Sequence, residues 1–372
     1  MKISKEDQEN YMKDALSLAE GVKGTTYPNP AVGAVIIRGE LVVGRGATSP
    51  CGGPHAEVNA ISDADGMAKG GIMFVTLEPC NHHGRTGPCT QAILDAGIEK
   101  VFVAAQDPNP IVSGTGIEFL RENGVEVDVG VLANDAAKMN EEFFYGIRTG
   151  MAWITVKLAM TLDGRIADLD NTSKWITGND SRVEVHRLRS KHAAIAVGRT
   201  TIEMDDPQLD VRHVDGTSPI KIIFGSAETM LSNDFIKKYR AFENISTQRM
   251  IIVTSGGEKG AITKHENGLE IWYLGYEEQK ERLICFREMA FTAEITSVFI
   301  EGGSKLASSF IENDQVNKLY LFYGNKILGG GVNAFTHHNP LKLSDALVLD
   351  GRKTESFGDD IMVSGYPKRG DV

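Results

Sequence analysis

No apolar run in this chain exceeds strand length. "AVGAVII" (31–37), "GIMFVTL" (71–77) and "KVFVAA" (100–105) are typical, and stretches with helical periodicity separate them. Such runs are far short of a membrane span. Their alternation with helices predicts a mostly parallel sheet covered by helices. Residues 5–20 read as the first helix: Met12, Ala15, Leu16 and Ala19 share one face, and Ser4 with Asp7 resembles a capping pair. "AVGAVII" and "ELVVG" read as a strand pair around Arg38 and Gly39. Helices are expected from about His55, over 88–97, over 116–123 and through 132–148. From "WITVKLAM" (153–160) the alternation restarts, with "HAAIAVG", "PIKIIFG", "MIIVTSG", "SVFIEGG" and "KLYLFYG" as strands. Gly146 and Gly150 bracket the change, which sets two α/β domains at 1–148 and 149–372 with no repeat relating them.

With 39 basic and 50 acidic residues the net charge is −11, which excludes a broad nucleic-acid-binding face. The charged start, "MKISKEDQENYM", has no apolar core of a secretory signal. Four cysteines in 372 residues make no disulfide framework. A cytoplasmic enzyme with no membrane partner is the expectation.

The chemistry concentrates at "GGPHAEVNAI" (52–61) and "LEPCNHHGRTGPC" (77–89). His55, Cys80 and Cys89 supply one imidazole and two thiolates, three ligands of a tetrahedral zinc site with a fourth position open for water. Both cysteines follow a proline at a strand–loop–helix junction, and a helix N-terminus favours the thiolate. Glu57, one residue beyond Ala56, is not needed as a ligand and is placed to shuttle a proton. The pattern parallels the H-x-E…P-C-x-x-C arrangement of zinc deaminases, with eight residues rather than two between the cysteines. A closed structural site would need a fourth ligand; His82 and His83 are available for it by spacing, and Cys51 lies near.

"YPNPAVGAVII", "GPHAEVNAI", "LEPCNHHGRTGPC" and "DPNPIVSGTGIEFL" together resemble the deaminase domain of the bifunctional riboflavin-biosynthesis family RibD (RibG). The resemblance implies that Asn29, His82, Arg85 and Asn109 face the substrate, with Asn109 near its ribose phosphate. Two positions depart from the family's pattern: Thr48 replaces a substrate-binding histidine, and Gly87 replaces a proline. The first implies weakened substrate binding that Thr48→His would restore.

No G-x-G-x-x-G follows the first strand of the second half, which argues against an ordinary Rossmann site. "VKLAMTLDGRIA", "SKWITG", "RLRSKHAAIAVGRTTIEMDDPQLDVR", "VFIEGGSKL" and "KILGG" instead resemble the reductase domain of the same family. That resemblance implies an NADPH-dependent domain of dihydrofolate-reductase-like fold beside a three-layer, cytidine-deaminase-like domain with a central mixed sheet. It carries Lys157, Ser173, Trp175, Thr177, Arg189, Thr201, Asp205, Leu209, Arg212, Glu301, Gly302 and Gly303 onto substrate- or cofactor-facing roles. Arg189 and Arg212 would hold the substrate phosphate, and Lys157 and Asp205 would sit by the carbon that receives hydride. "FYGNKILGG" lacks the family's usual Ala-Pro before Lys326. Residues 226–295 match weakly and carry no named site; Trp272 there reads as core.

The activity implied is deamination of 2,5-diamino-6-ribosylamino-4(3H)-pyrimidinone 5′-phosphate, then reduction of its ribosyl group to ribityl, by a homodimer or homotetramer. The rival readings are a chain with one degenerate domain, Thr48 pointing to the deaminase, and a non-catalytic zinc-stabilised binding protein.

Overall fold

The computed structural model describes residues 3–82, 87–109, 112–336 and 342–369. The chain divides into two compact units, Met1–Gly150 and Met151–Val372.

In the first unit, helix α1 (Lys5–Val22) starts at Ser4, whose hydroxyl accepts the Asp7 N–H, and buries Met12, Ala15, Leu16 and Ala19. Strands β1 (Gly33–Arg38) and β2 (Leu41–Ala47) form an antiparallel hairpin. Strand β3 (Ile72–Leu77) pairs antiparallel with β1; β4 (Lys100–Ala105) and β5 (Glu126–Val129) continue parallel, giving the order β2-β1-β3-β4-β5. The sheet is therefore mixed. Helices α2 (Ala56–Asp63), α3 (Cys89–Asp95) and α4 (Thr115–Glu122) follow strands β2, β3 and β4, and α5 (Ala133–Met139) and α6 (Glu141–Thr149) close the unit.

Two glycines determine where α2 lies. A Cβ on Gly46 would stand 2.3 Å from Ala56 O and from Ala60 N, and one on Gly44 would stand 2.2 Å from Ala60 O. Only bare backbone lets the helix rest on β2 this closely. Gly33 is paired one residue out of phase with Gly46, so it looks to the other face, where its Cβ would strike Ala15 O of α1. Helices thus cover both faces, a three-layer sandwich.

The stretch 132–148 is not one helix. Asn140 stands between α5 and α6, buried, accepting the Ala31 N–H (2.9 Å) and donating to Ala31 O (2.8 Å). This side-chain amide mimics a strand partner for Ala31, and the helix breaks to present it. Strand β5 lacks the apolar run that marks the other strands of this sheet: only Val127 of its four residues is buried.

The second unit is built on a ten-stranded sheet, whose strands are β6 (Trp153–Thr161), β8 (Ala194–Gly198), β9 (Ile220–Phe224), β10 (Met250–Thr254), β11 (Ile262–Lys264), β12 (Leu269–Tyr273), β13 (Ser297–Glu301), β14 (Lys318–Gly324), β16 (Leu347–Phe357) and β17 (Asp360–Arg369). Their order is β11-β12-β10-β9-β8-β13-β6-β14-β17-β16, parallel from β12 to β14 and antiparallel at both margins. Short strands β7 (Arg165–Ala167) and β15 (Val332–Asn333) pair separately. Helices α7 (Asn179–Ser190), α8 (Arg199–Asp205), α9 (Ala227–Met230), α10 (Asn233–Lys238), α11 (Gln279–Thr292) and α12 (Ser304–Glu312) complete it. Trp272 is fully buried, its indole N–H donating to Glu270 (3.0 Å). Helix α7 begins at Gly178, which has no capping side chain. Buried Asp360 of β17 substitutes for one, accepting from Gly178 N and Ser181 Oγ, each at 2.6 Å. The outer hairpin is irregular: Asp350 pairs with Tyr366 and Lys353 with Ser364, so two residues of β16 oppose one of β17.

Candidate active sites

In the first unit, His55 is the N-cap of α2 and Cys89 the first residue of α3, while Cys80 lies in the loop after β3. Among the described residues these three alone form a group able to hold a metal, their ligand atoms all within 4.8 Å of one another. His55 Nδ1 is 3.6 Å from Cys80 Sγ and 3.3 Å from Cys89 Sγ. Bonds of about 2.3 Å to sulfur and 2.0–2.1 Å to nitrogen at a tetrahedral angle would put those atoms about 3.6 Å apart, so the donor set fits zinc. The Cys89 N–H donates to Cys80 Sγ (3.4 Å) and the Thr90 N–H to Cys80 O (3.2 Å), locking the two cysteine segments together. The S–H of Cys89 and the His55 ring hold the Cys80 thiol down to about 4, whereas the nearby Cys80 sulfur and burial push Cys89 up. Metal binding removes both protons. Cys51 is exposed and outside this group, and so is exposed His82; His83 lies outside the described residues.

Glu57, on the first turn of α2, is buried, and burial followed by the Cys80 charge pushes its carboxyl up to about 7. Asn29 is held in a short turn, its N–H on Thr26 O and its carbonyl on Thr26 Oγ1, each 3.0 Å. The Asn109 N–H donates to Asp107 Oδ1 (2.8 Å). Burial raises the Asp107 carboxyl, and the Asp107 N–H donates to Glu78 Oε2 (3.2 Å), two residues before Cys80, so the 107–109 loop is fastened to the segment that carries this ligand. Arg85 lies outside the described residues. A Cβ on Gly87 would meet no atom of the described residues within 4 Å. Thr48 is an interior residue. It is only 4% exposed, and its hydroxyl accepts the Val32 N–H (3.0 Å) and donates to Val32 O (3.3 Å). It ties two backbone segments together. Sequence reasoning passed over Glu78, whose buried carboxylate accepts four backbone N–H groups.

The residues singled out in the second unit fall into two groups. In the first, Glu301 of β13 stands opposite Lys157 of β6 in register. Arg189 of α7 grips Glu301 with both Nε and Nη2, and its Nη1 donates to Asp210 O (2.9 Å). Arg212 turns onto the Asp210 carboxylate and onto Gln208 Oε1 (2.8 Å). Burial lowers the Lys157 ammonium, opposed by Glu301 and reinforced by Arg189. Burial alone would raise Glu301, but Arg189 and Lys157 hold it below the usual range. His186, one turn before Arg189, was missed: its Nδ1 accepts the Arg212 N–H (3.2 Å), and burial and Arg189 hold it neutral, down to about 4.

In the second group, Ser173 Oγ donates to Asp205 Oδ1 (2.6 Å) and Lys174 Nζ to Asp205 O (2.8 Å), fastening the "SKWITG" segment to the end of α8. Exposed Trp175 lies under the Arg182 guanidinium (4.4 Å), whose Nη1 donates to Thr177 O (3.1 Å). Gly302 and Gly303 (φ +72° and +73°) follow Glu301 and crowd Thr201 of α8; a Cβ on Gly303 would stand 3.1 Å from Thr201 Oγ1. Thr201 thus joins the two groups, one turn before Asp205. Leu209 is buried with φ +56°. Asp163, also missed, accepts the N–H groups of Leu328 (3.1 Å) and Gly329 (2.8 Å), tying down the "KILGG" loop, and Lys326 Nζ donates to Trp175 O.

Residues 5–105 match the cytidine and deoxycytidylate deaminase zinc-binding region, and residues 152–363 match the RibD C-terminal domain. The riboflavin biosynthesis protein RibD of Aquifex aeolicus is 39% identical over 96% of this chain and 98% of its own length. That of Bacillus amyloliquefaciens is 33% identical over 98% and 97%. A crystal structure from Thermotoga maritima, a diaminohydroxyphosphoribosylaminopyrimidine deaminase/5-amino-6-(5-phosphoribosylamino)uracil reductase, superimposes with a TM-score of 0.84 at 33% identity, covering 98% of this chain and 99% of that one. A zinc-binding tripod with a buried glutamate beside it, a second unit matched along nearly its whole length, and relatives aligned end to end agree: the chain belongs to the RibD family of bifunctional deaminase–reductase enzymes of riboflavin biosynthesis.

Proposed function

We propose that the first unit hydrolytically deaminates 2,5-diamino-6-ribosylamino-4(3H)-pyrimidinone 5′-phosphate and that the second reduces the ribosyl group of the product to ribityl with NADPH. The observation that carries the first half is buried Glu57 beside a group of three metal ligands rather than four. The substrates named for the Thermotoga maritima protein support the assignment.

His55, Cys80 and Cys89 would hold the zinc, which when bound supplies a Lewis acid that brings water near a pKa of about 7. Glu57 takes a proton from the attacking water and delivers it to the ring's exocyclic nitrogen, which leaves as ammonia. Its burial suits it to hold that proton between the two transfers. Asn29, His82, Arg85 and Asn109 hold the substrate, the guanidinium and imidazole suiting its phosphate.

In the second unit NADPH supplies the hydride. Asp205, fixed by Ser173, handles the proton, with Lys157 near the reacting carbon. Arg212, already flanked by acidic and amide oxygens, and Arg189 hold the phosphate, with Leu209 and Glu301 beside them. Trp175, Thr177, Thr201, Gly302 and Gly303 face the cofactor. The enzyme acts as a homodimer or homotetramer in the cytoplasm, without nucleic-acid or membrane partners. The net charge of −11 speaks against a nucleic-acid partner, and no helix among the described residues is long and apolar enough to cross a membrane.

Incubating the protein with the diaminopyrimidine phosphate, with and without NADPH, tests both halves by ammonia release and by formation of the ribityl product. Glu57→Gln is expected to keep about one zinc per chain and to lose roughly 10²- to 10⁴-fold in deamination, because only proton transfer is removed. Native turnover by Glu57→Gln would overturn the shuttle.

A further inference from the structure

We propose that Glu78 is a positioning residue of the deaminase site: its carboxylate sets the 107–109 loop, and with it Asn109, beside the metal ligands. The inference rests on the reading that Asn109 touches substrate.

Glu78 sits two residues before Cys80, and its own N–H donates to Ala105 O (2.9 Å), so its main chain continues the ladder between β3 and β4. It is thus part of the same rigid strand end that delivers a metal ligand. Its side chain points inward and is 4% exposed. Oε2 accepts the N–H groups of Asp107 (3.2 Å) and Gly114 (3.0 Å), and Oε1 those of Gly116 (3.0 Å) and Ile117 (3.3 Å). Both oxygens are therefore fully engaged, and every donor belongs to the loop after β4 or to the first turn of α4.

This carboxylate also stands in for the missing cap of α4, since Gly114 at that position brings no side chain. A local Ser or Asp would satisfy the same amides without reaching across the chain. A carboxylate from 29 to 39 residues upstream instead fixes the loop's position relative to Cys80. The contact is close: a Cβ on Gly116 would stand 2.0 Å from Pro79 O, so α4 sits directly on the Glu-Pro-Cys backbone. Asp107 passes the constraint on, its Oδ1 accepting the Asn109 N–H (2.8 Å). The chain of contacts runs from the strand end that holds Cys80, through Glu78 and Asp107, to Asn109.

A glutamine at 78 keeps the shape but turns an NH₂ toward two of the four donors. Glu78→Gln in the full-length zinc enzyme is expected to raise the deaminase KM about tenfold or more, with kcat within a few-fold, because the loop loses register while the metal and Glu57 stay in place. Zinc stays at one per chain, and the reductase activity of the same molecule, borne by the other unit, is unchanged. Asn109→Ala tests the underlying reading by itself: if it leaves KM unchanged, Asn109 does not touch substrate and the proposal fails with it. If Asn109→Ala raises KM, then adding Glu78→Gln should raise it no further, since the two changes remove one interaction. An undiminished effect of Glu78→Gln in the Asn109→Ala background overturns the proposal, and so does an unchanged KM in Glu78→Gln alone. Where Glu78→Gln does not fold, Glu78→Asp, whose shorter side chain retracts from the loop while keeping the charge, is read the same way. Loss of zinc from Glu78→Asp would make the residue a brace of the metal loop only and would likewise overturn it.

Discussion

A side chain's partner decides its role more firmly than its position in a motif. At Thr48 the family resemblance implies a substrate-binding histidine, yet the threonine hydroxyl found there is committed to Val32. Thr48→His is therefore expected not to lower the deaminase KM, because it breaks the two hydrogen bonds by which the buried hydroxyl holds Val32. Thr48→Val keeps the shape and strands the Val32 N–H, which costs about 1–3 kcal/mol. Denaturant unfolding followed by zinc release reads that cost, and a KM that falls in Thr48→His would show that the side chain swings free. His55, Glu57, Cys80 and Cys89 could be read from the sequence because metal chemistry restricts residue type and spacing. Glu78 could not, because its partners are main-chain amides, which every residue type supplies.

The elements that could be read ahead were those whose apolar runs are buried on both faces, such as β3, β4, β10 and β13. Some strands with little burial escaped: β5 buries one residue, and β16 is mostly exposed along its length, whereas marginal β2 could be read from its turn with β1. The break between α5 and α6 was equally hidden, since it depends on Asn140 meeting Ala31, 109 residues away. The "KILGG" loop shows the same dependence on a distant partner. The Thr161 hydroxyl and the Leu328 and Gly329 amides hold the Asp163 carboxyl down to about 2, against an ordinary 3.8. A carboxylate depressed in the folded state contributes fully above its unfolded pKa and loses that contribution as pH falls through the folded one. Exchange protection of the Leu328 and Gly329 amides, corrected for intrinsic rates, should therefore stay level between about pH 5 and 8 and decline only below about pH 4. A step near neutrality would show that another group holds the loop.

At the scale of the molecule, each unit has its own apolar core and its own reactive group. The two activities should therefore separate by mutation. Cys80→Ser is expected to lose zinc and ammonia release and to retain reduction of the deaminated intermediate. Asp205→Asn is expected to do the reverse, and a folded Asp205→Asn protein that no longer releases ammonia would refute two independent sites. The outer hairpin bears on how such a molecule survives at cellular concentrations. A ten-stranded sheet ends in a row of unpaired amides and carbonyls, a template onto which any extended chain can add. Strand β16 interrupts that template midway: Asp350, Arg352, Lys353 and Glu355 are exposed, and the extra residue at Gly351 bends the edge. Replacing Arg352, Lys353 and Glu355 with valine or threonine should leave both activities per folded chain intact and make the protein aggregate at lower concentration by light scattering. On that outcome the charges on this hairpin act for neither catalysis nor folding, but keep the finished sheet from growing.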